Sequence, residues 1–297
     1  MATKRDRGMT AQAMNRGQVV TRFAPSPTGR LHLGHAWSAV RAFDLARAAG
    51  GSFLLRIEDI DATRSRTEHV EAILADLAWL GLAWEGPVFQ SGRLGLYAEA
   101  LARLRAAKLV YPCFCTRGDL AAASSAAPHG VEAVYPGTCR GLAAVDLSRP
   151  HCWRLDVRRA LRSLATGPLS WHDATAGWTV ADPARHGDVI LARKDAPTSY
   201  HLAVTVDDAA QGVTDVVRGV DLFAATDVHR LLQALLGLPT PRYHHHPLLV
   251  GADGERLAKR HNSMTLAAMR GAGDDGRALA SRLRLDILPT GFGVAMA

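Results

Sequence analysis

No apolar run in the 297-residue chain approaches the roughly 20 residues that span a bilayer, so no membrane partner is expected. No apolar core follows the basic residues Lys4, Arg5, Arg7 and Arg16, which argues against a secretory signal. Residues 1–18 read instead as a disordered basic tail. Cysteine is scarce, with four residues. Cys113 and Cys115 lie one residue apart, a poor geometry for bonding each other. Without an export signal the expected compartment is the reducing cytoplasm, which favours metal ligation over disulfides. Ordinary Gly and Pro contents of 27 and 14 exclude collagen-like and low-complexity chains, and no internal repeat is present. Charge is only mildly one-sided: 35 Lys and Arg against 28 Asp and Glu, a net +7. Nearly half of that excess lies in the tail, so the charge permits an acidic partner such as nucleic acid without requiring one. With 48% hydrophobic and 21% charged residues, the chain reads as globular and long enough for one or two domains.

The opening pattern is strand, loop, helix, strand. Val19 to Ala24 is β-prone, Pro25 to Gly29 is turn chemistry, and a helix is predicted from about Gly34 to Ala49, stopped by Gly50-Gly51. Phe53 to Ile57 is a short apolar run of the kind found in parallel strands. This β-α-β unit suggests a doubly wound α/β nucleotide-binding fold. Helices are predicted near 67–80, 94–107 and 226–236, and strands at 110–115, 188–191 and 203–206. The irregular stretch 110–185 reads as an insertion, with 121–130 a loose loop.

Two constellations carry chemistry. A loop entering a helix at His32-Leu33-Gly34-His35 offers free backbone N–H groups and a positive dipole end, which suit a triphosphate. Gly34 lets a ligand approach the backbone, and His32 and His35 can donate to phosphate oxygens. Cys113-Phe114-Cys115 and Cys139 supply three thiolates, whereas zinc takes four ligands. The Tyr135 phenol is a candidate fourth; Cys152, His151 and His129 are its rivals. His244-His245-His246 point to alternate faces of a strand and cannot readily share one ion. Asp207-Asp208 invites a magnesium reading.

The run Arg22-Phe23-Ala24-Pro25-Ser26-Pro27-Thr28-Gly29-Arg30-Leu31-His32-Leu33-Gly34-His35 resembles the signature of class I glutamyl-tRNA synthetases, with 32–35 as their HIGH-type motif. Further likenesses follow in order: Arg56 to Asp61, Pro197 to Asp208, Arg218-Gly219-Val220-Asp221, and Arg256-Leu257-Ala258-Lys259-Arg260 at the KMSKS-type loop, where Ala258 replaces the usual Ser. The resemblance spans about residues 20–270. It implies a Rossmann catalytic core with a doubly wound parallel sheet and an inserted zinc-bearing subdomain. The implied boundaries are 19–109 and 186–240 for the two core halves, 110–185 for the insert, and 241–297 for the loop and a short helical segment. It also implies a glutamate site at Arg22, Phe23, Ala24, Pro25, Ser26, Glu58, Tyr200 and Arg218. There, arginines pair with carboxylates, Glu58 takes the ammonium and Tyr200 adds a hydroxyl. His32, Gly34, His35 and Lys259 would bind ATP, with Mg2+ held mainly by its phosphates. The catalytic residues are then Lys259, His32 and His35, and Asp207-Asp208 falls at the end of a pocket strand.

The C-x-C…Y-x-x-x-C pattern resembles the zinc site of a truncated branch of that family, the glutamyl-Q tRNA(Asp) synthetases. Fewer than 40 residues follow Lys259, too few for an anticodon-binding domain. The implied protein is a cytoplasmic monomer with one structural Zn2+ on Cys113, Cys115, Tyr135 and Cys139. It would activate L-glutamate with ATP without tRNA. It would then move glutamate to queuosine in the anticodon stem-loop of tRNA(Asp). The alternatives are a conventional synthetase charging a tRNA 3′ end and a non-catalytic RNA-binding module. Retention of His32, Gly34, His35, Glu58, Arg218 and Lys259 counts against the second.

Overall fold

The computed structural model describes residues 18–116, 118–119, 134–164, 167–251 and 265–295. The basic tail, the 121–130 loop, His129 and the whole Arg256–Arg260 motif with Lys259 lie outside the described residues.

Strand β1 (Val20–Phe23) runs into the Pro-rich turn, and helix α1 (Leu33–Ala48) starts at His32. α1 buries Trp37, Val40 and Phe43, the face expected from their spacing. The chain returns as β2 (Ser52–Ile57), parallel to β1 with Val20 opposite Ser52 and Phe23 opposite Leu55. Helix α2 (Thr67–Trp79) leads to β3 (Glu85–Phe89), parallel to β2. Leu55, Ile57, Ile73 and Leu77 are fully buried between these layers. Burying each such side chain contributes roughly 1.5–3 kcal/mol. Helix α3 (Leu94–Ala106) then carries the chain to β4 (Val110–Cys113).

The middle of the chain departs from the expected boundaries. β4 pairs antiparallel with β5 (Cys152–Leu155), after which come α4 (Val157–Ser163), β6 (Ser170–Asp173), β7 (Gly177–Val180) and β8 (Ile190–Ala192). β8 was expected to resume the core, yet it pairs with β5 and completes the three-stranded insert sheet. β6, expected within the insert, belongs to the main sheet. Both are three- or four-residue strands with no periodicity to tell one sheet from another.

A second difference concerns 203–206, expected as a strand. It lies inside helix α5 (Tyr200–Ala210). Leu202 through Asp208 are all buried, so no amphipathic period survives, and Val204, Thr205 and Val206 carry β propensity. The N-cap outweighs it: Ser199 Oγ accepts from the Leu202 N–H at 3.5 Å.

β9 (Asp215–Gly219), α6 (Ala225–Leu236) and β10 (Arg242–His246) finish the core, with β10 parallel to both β9 and β6. β9 lies beside β1, joined at one end by Thr214 N–H donating to Val20 O at 2.9 Å. The strands therefore lie in the order β3-β2-β1-β9-β10-β6, with β7 antiparallel at the edge. The order in which the chain adds strands reverses between β1 and β9, and a crevice opens beyond their C-terminal ends. Open α/β sheets bind ligands at such switch points. β11 (Leu248–Gly251) pairs with β12 (Phe292–Ala295); α7 (Leu266–Gly271) and α8 (Gly276–Arg284) come between them in sequence and pack on α2 and α1 respectively. No described helix is long and apolar enough to cross a membrane.

Candidate active site

A cleft of about 660 Å³ occupies the switch point. Phe23, Ala24, Pro25 and Ser26 line it from the loop after β1, and Glu58 from the end of β2. Tyr200 opens α5, Arg218 sits near the end of β9, and His32, Gly34 and His35 form the start of α1. Every candidate glutamate and phosphate residue that the structure describes therefore faces one cavity.

The two histidines are locked by the helix start. His32 Nδ1 accepts the Gly34 N–H and His35 Nδ1 accepts the His32 N–H, each at 3.1 Å. A nitrogen that accepts from an amide is unprotonated, so each neutral ring carries its proton on Nε2. The rings stack with centroids 3.8 Å apart. A Cβ at Gly34 would sit 3.1 Å from the His32 ring, so glycine makes room for that stack. Thr265, at the start of α7, bridges to His32, and Leu266 N–H donates to Leu31 O at 2.9 Å. One flank of the KMSKS-type segment is thus fixed against the HIGH-type motif.

On one wall, arginines meet carboxylates. Arg22 Nε donates to Asp208 Oδ1 at 3.1 Å and its Nη1 to Val217 O at 3.3 Å. Arg56, fully buried, donates to the same Asp208 oxygen at 2.7 Å. Asp207 receives Gln90 Nε2 and Tyr97 OH at 2.8 Å and Arg93 Nε at 2.6 Å. Burial works against ionised Asp208, yet Arg22 and Arg56 hold it below the usual carboxylate range. Asp207 and Asp208 are consumed by this network, on a helix rather than a strand, which removes the magnesium reading. Burial pushes the Glu58 carboxyl up to about 7, although Arg56 and Arg22 pull the other way.

Beside this network, on β9, Arg218 has five donors and five neutral acceptors. Nε donates to His245 Nε2 at 3.1 Å; Nη1 donates to His229 Nδ1 at 3.3 Å and Tyr200 OH at 3.4 Å. Nη2 donates to Thr226 Oγ1 at 2.6 Å and Leu222 O at 3.2 Å. Among the described residues it makes no ion pair, although it is only 5% exposed. Next to it, a Cβ on Gly219 would strike Asp221 Oδ1 at 2.5 Å, so glycine keeps the cleft open there.

The histidine triplet diverges as alternation requires. His244 bonds Asp215, His245 joins Asp173 to Arg218, and His246 Nε2 accepts from Ser38 Oγ at 2.7 Å. The acidic run 58–61 also divides. Glu58 and Asp61 face the cleft, while Asp59 accepts from Ser91 N–H and Oγ at 2.8 and 2.6 Å. Arg56, His201 and His229 had no role in the sequence reading. Their weight comes from burial beside charged groups, carboxylates for Arg56 and Arg218 for the histidines, which linear spacing does not encode.

Away from the cleft, the Sγ atoms of Cys113, Cys115 and Cys139 all lie within 4.8 Å of one another. Tyr135 OH stands 3.3 Å from Cys113 Sγ and 3.6 Å from Cys115 Sγ. Arg154 lies over the Tyr135 ring at 3.8 Å, and Lys194 Nζ donates to the Phe114 and Cys115 carbonyls at 2.9 and 2.8 Å. Three thiolates and a phenol at one point are a donor set that fits a tetrahedral zinc. Of the rivals, Cys152 faces Cys113 across the β4–β5 ladder but is outside the thiol triad, and His151 Nδ1 engages Arg149 O at 2.8 Å.

Comparison with known proteins agrees with this architecture. Residues 18–290 match the family model of class I tRNA synthetases (E and Q), catalytic domain. The glutamyl-Q tRNA(Asp) synthetase of Rhodobacter capsulatus is 51% identical, covering 86% of this chain and 96% of its own. Four further relatives of that name are 44–48% identical. A glutamate–tRNA ligase of Geobacter sulfurreducens is 42% identical over 86% of this chain, which spans 54% of that protein. The crystal structure of a glutamate-tRNA synthetase from Elizabethkingia anophelis superposes with a TM-score of 0.69 at 26% identity, over 82% of this chain and 53% of its own. The chain is an ATP-dependent ligase of the aminoacyl-tRNA synthetase type: it belongs to the class I tRNA synthetases for glutamate and glutamine, within the glutamyl-Q tRNA(Asp) synthetases.

Proposed function

We propose that the chain activates L-glutamate with ATP, without tRNA, and passes the glutamyl group to queuosine at the wobble position of tRNA(Asp). The observation that carries the amino-acid half is Arg218: a buried cation at the cleft, held in place by neutral groups, whose charge is left for an anionic ligand. The glutamate side-chain carboxylate meets the Arg218 edge facing Tyr200. The Tyr200 hydroxyl, at the longest of the five contacts, turns to donate to the same carboxylate. Glu58 pairs with the α-ammonium, and Arg22 and the Ser26 loop orient the α-carboxylate.

An α-carboxylate oxygen attacks the α-phosphorus of ATP in line, and pyrophosphate leaves. The Nε2–H groups of His32 and His35 donate to phosphate oxygens at the start of α1. Lys259 stabilises charge that builds on the departing β- and γ-phosphates. In the second step a hydroxyl of the queuosine cyclopentenediol attacks the acyl carbon and AMP leaves. The choice of queuosine rests on the names of the relatives that match over most of their length, and a tRNA substrate supports a cytoplasmic reaction. Zinc held by Cys113, Cys115, Tyr135 and Cys139 would be structural, tying β4 to the 135–139 turn.

Four measurements test this. Glutamate-dependent ATP–pyrophosphate exchange without tRNA is expected; no exchange by zinc-loaded protein would favour a binding module. Labelled glutamate is expected on queuosine-containing tRNA(Asp) and not on tRNA(Asp) lacking queuosine. Labelling of tRNA(Glu) instead would give the chain the activity named for the Geobacter relative. Elemental analysis should find about one zinc per chain, and Tyr135→Phe should weaken it at least tenfold, the smaller loss typical of an outer-shell partner. An unchanged zinc affinity would take Tyr135 out of the ligand set.

A further inference from the structure

One cation dictates the tautomers of three histidines, two of them buried. A guanidinium can only donate, so His245 Nε2 and His229 Nδ1, which receive Arg218, carry no proton. The neutral His229 ring then has its proton on Nε2, which faces His201 Nδ1 at 3.2 Å. His201 accepts there and keeps its own proton on Nε2. His245 keeps its proton on Nδ1 and donates it to Asp173 Oδ2 at 2.8 Å. His229 and His245 are 2% and 7% exposed. Burial first, then Arg218 for His229 and His245 and His186 followed by Arg218 for His201, hold the three rings in the neutral form; His201 and His245 fall to about 4.

This arrangement solves a problem that Arg22 and Arg56 do not face. Those arginines are fixed by Asp208, which also cancels charge. A carboxylate at position 229 would hold Arg218 equally well, but the substrate carboxylate would then meet a neutralised pair. A neutral acceptor fixes the fork and leaves the charge. We propose that His229, itself oriented by His201, is a specificity-determining positioning residue that aims Arg218 while keeping its charge uncancelled, and so sets the preference for glutamate over its amide, glutamine. The proposal rests on the reading that Arg218 meets the substrate side chain.

The test is ATP–pyrophosphate exchange with glutamate and with glutamine on four variants, each checked by thermal melting. His229→Glu should raise the glutamate KM at least tenfold and lower the glutamate-to-glutamine ratio of kcat/KM by a similar factor. His229→Leu removes the acceptor without adding charge; it should raise the glutamate KM with kcat largely kept. His229→Gln restores an oxygen acceptor towards Arg218 and an N–H towards His201, and should recover most of what His229→Leu loses. A purely structural His229 would lower melting temperature and kcat while leaving the ratio in place. The proposal is overturned if His229→Leu keeps the wild-type KM and ratio, or if His229→Gln fails as badly as His229→Glu. Should His229→Glu not fold, the Leu and Gln variants decide alone. Arg218→Gln separates the two levels. An unchanged glutamate KM there overturns the cleft reading itself; a raised KM beside silent His229 variants overturns only the histidine role.

Discussion

The two walls of the cleft hold buried arginines by opposite means. Arg22 and Arg56 rest on Asp208, with Asp207 taking Arg93, Tyr97 and Gln90 beside them. Arg218 rests on two imidazoles, two hydroxyls and a carbonyl. Desolvating a charge is costly in either place. On the first wall an opposite charge inside the protein repays the cost. On the second, neutral dipoles repay only part, and the remaining attraction is available to a ligand. The first wall ties β1, β2 and α5 together; under the proposed function the second is the one that recognises. Identical side chains at and behind one cleft thus differ in what their partners leave of their charge.

Arg56→Ala strikes the first wall hardest. It leaves Asp207 and Asp208 short of a buried cation, and breaking such a pair costs about 3–5 kcal/mol. Chemical denaturation should show a loss of that size. A loss near zero would mean that Arg22 and Arg93 re-compensate the carboxylates, and the contrast between the walls would fail. Lys259→Ala tests the complement, chemistry without recognition. Removing one such transition-state contact typically costs about 2.7–4 kcal/mol, so exchange should slow by about 10²–10³. If Arg218 binds the glutamate side chain as proposed, the glutamate KM should stay within a few-fold. A KM defect as large as the rate defect would remove Lys259 from the chemical step.

These walls were unequally legible in the sequence. Arg22, Glu58, Tyr200 and Arg218 stood in recognisable motifs, and the structure brings them to one cleft. The β-α-β opening was legible because Trp37, Val40 and Phe43 keep a helical period and Gly50-Gly51 ends it. The 200–210 helix was not, because burial on all sides erases the period and leaves only the β-branched residues to read. β6 and β8 were misplaced between sheets because three or four residues carry no register of their own. The His201–His229–Arg218 chain was invisible for another reason: its histidines are 17 and 11 residues from Arg218, and only α5 and α6 packing side by side join them. The thiol cluster was the easiest to read, since short spacing in sequence already confines Cys113 and Cys115.

The gentlest probe lies between the walls, at Glu58. Burial raises its carboxyl to about 7, because the first wall's arginines are already engaged and compensate it incompletely. The sign of the consequence follows directly. Below about 7 the free cleft holds Glu58 protonated, and a neutral carboxyl attracts an α-ammonium weakly. Above it, Glu58 is ionised and pairs with the ammonium, whose charge then stabilises the carboxylate further. The glutamate KM in exchange should therefore fall as pH rises from 6 to 8. At pH 6, one unit below about 7, about a tenth of Glu58 is ionised, so the KM there should be about tenfold higher than at pH 8. Glu58→Gln should flatten this pH step while raising KM throughout. A step that persists in Glu58→Gln would assign it to another group. A KM that rises with pH would mean that neutral Glu58 is the binding form, with the carboxyl acting as a donor rather than as the partner of the ammonium.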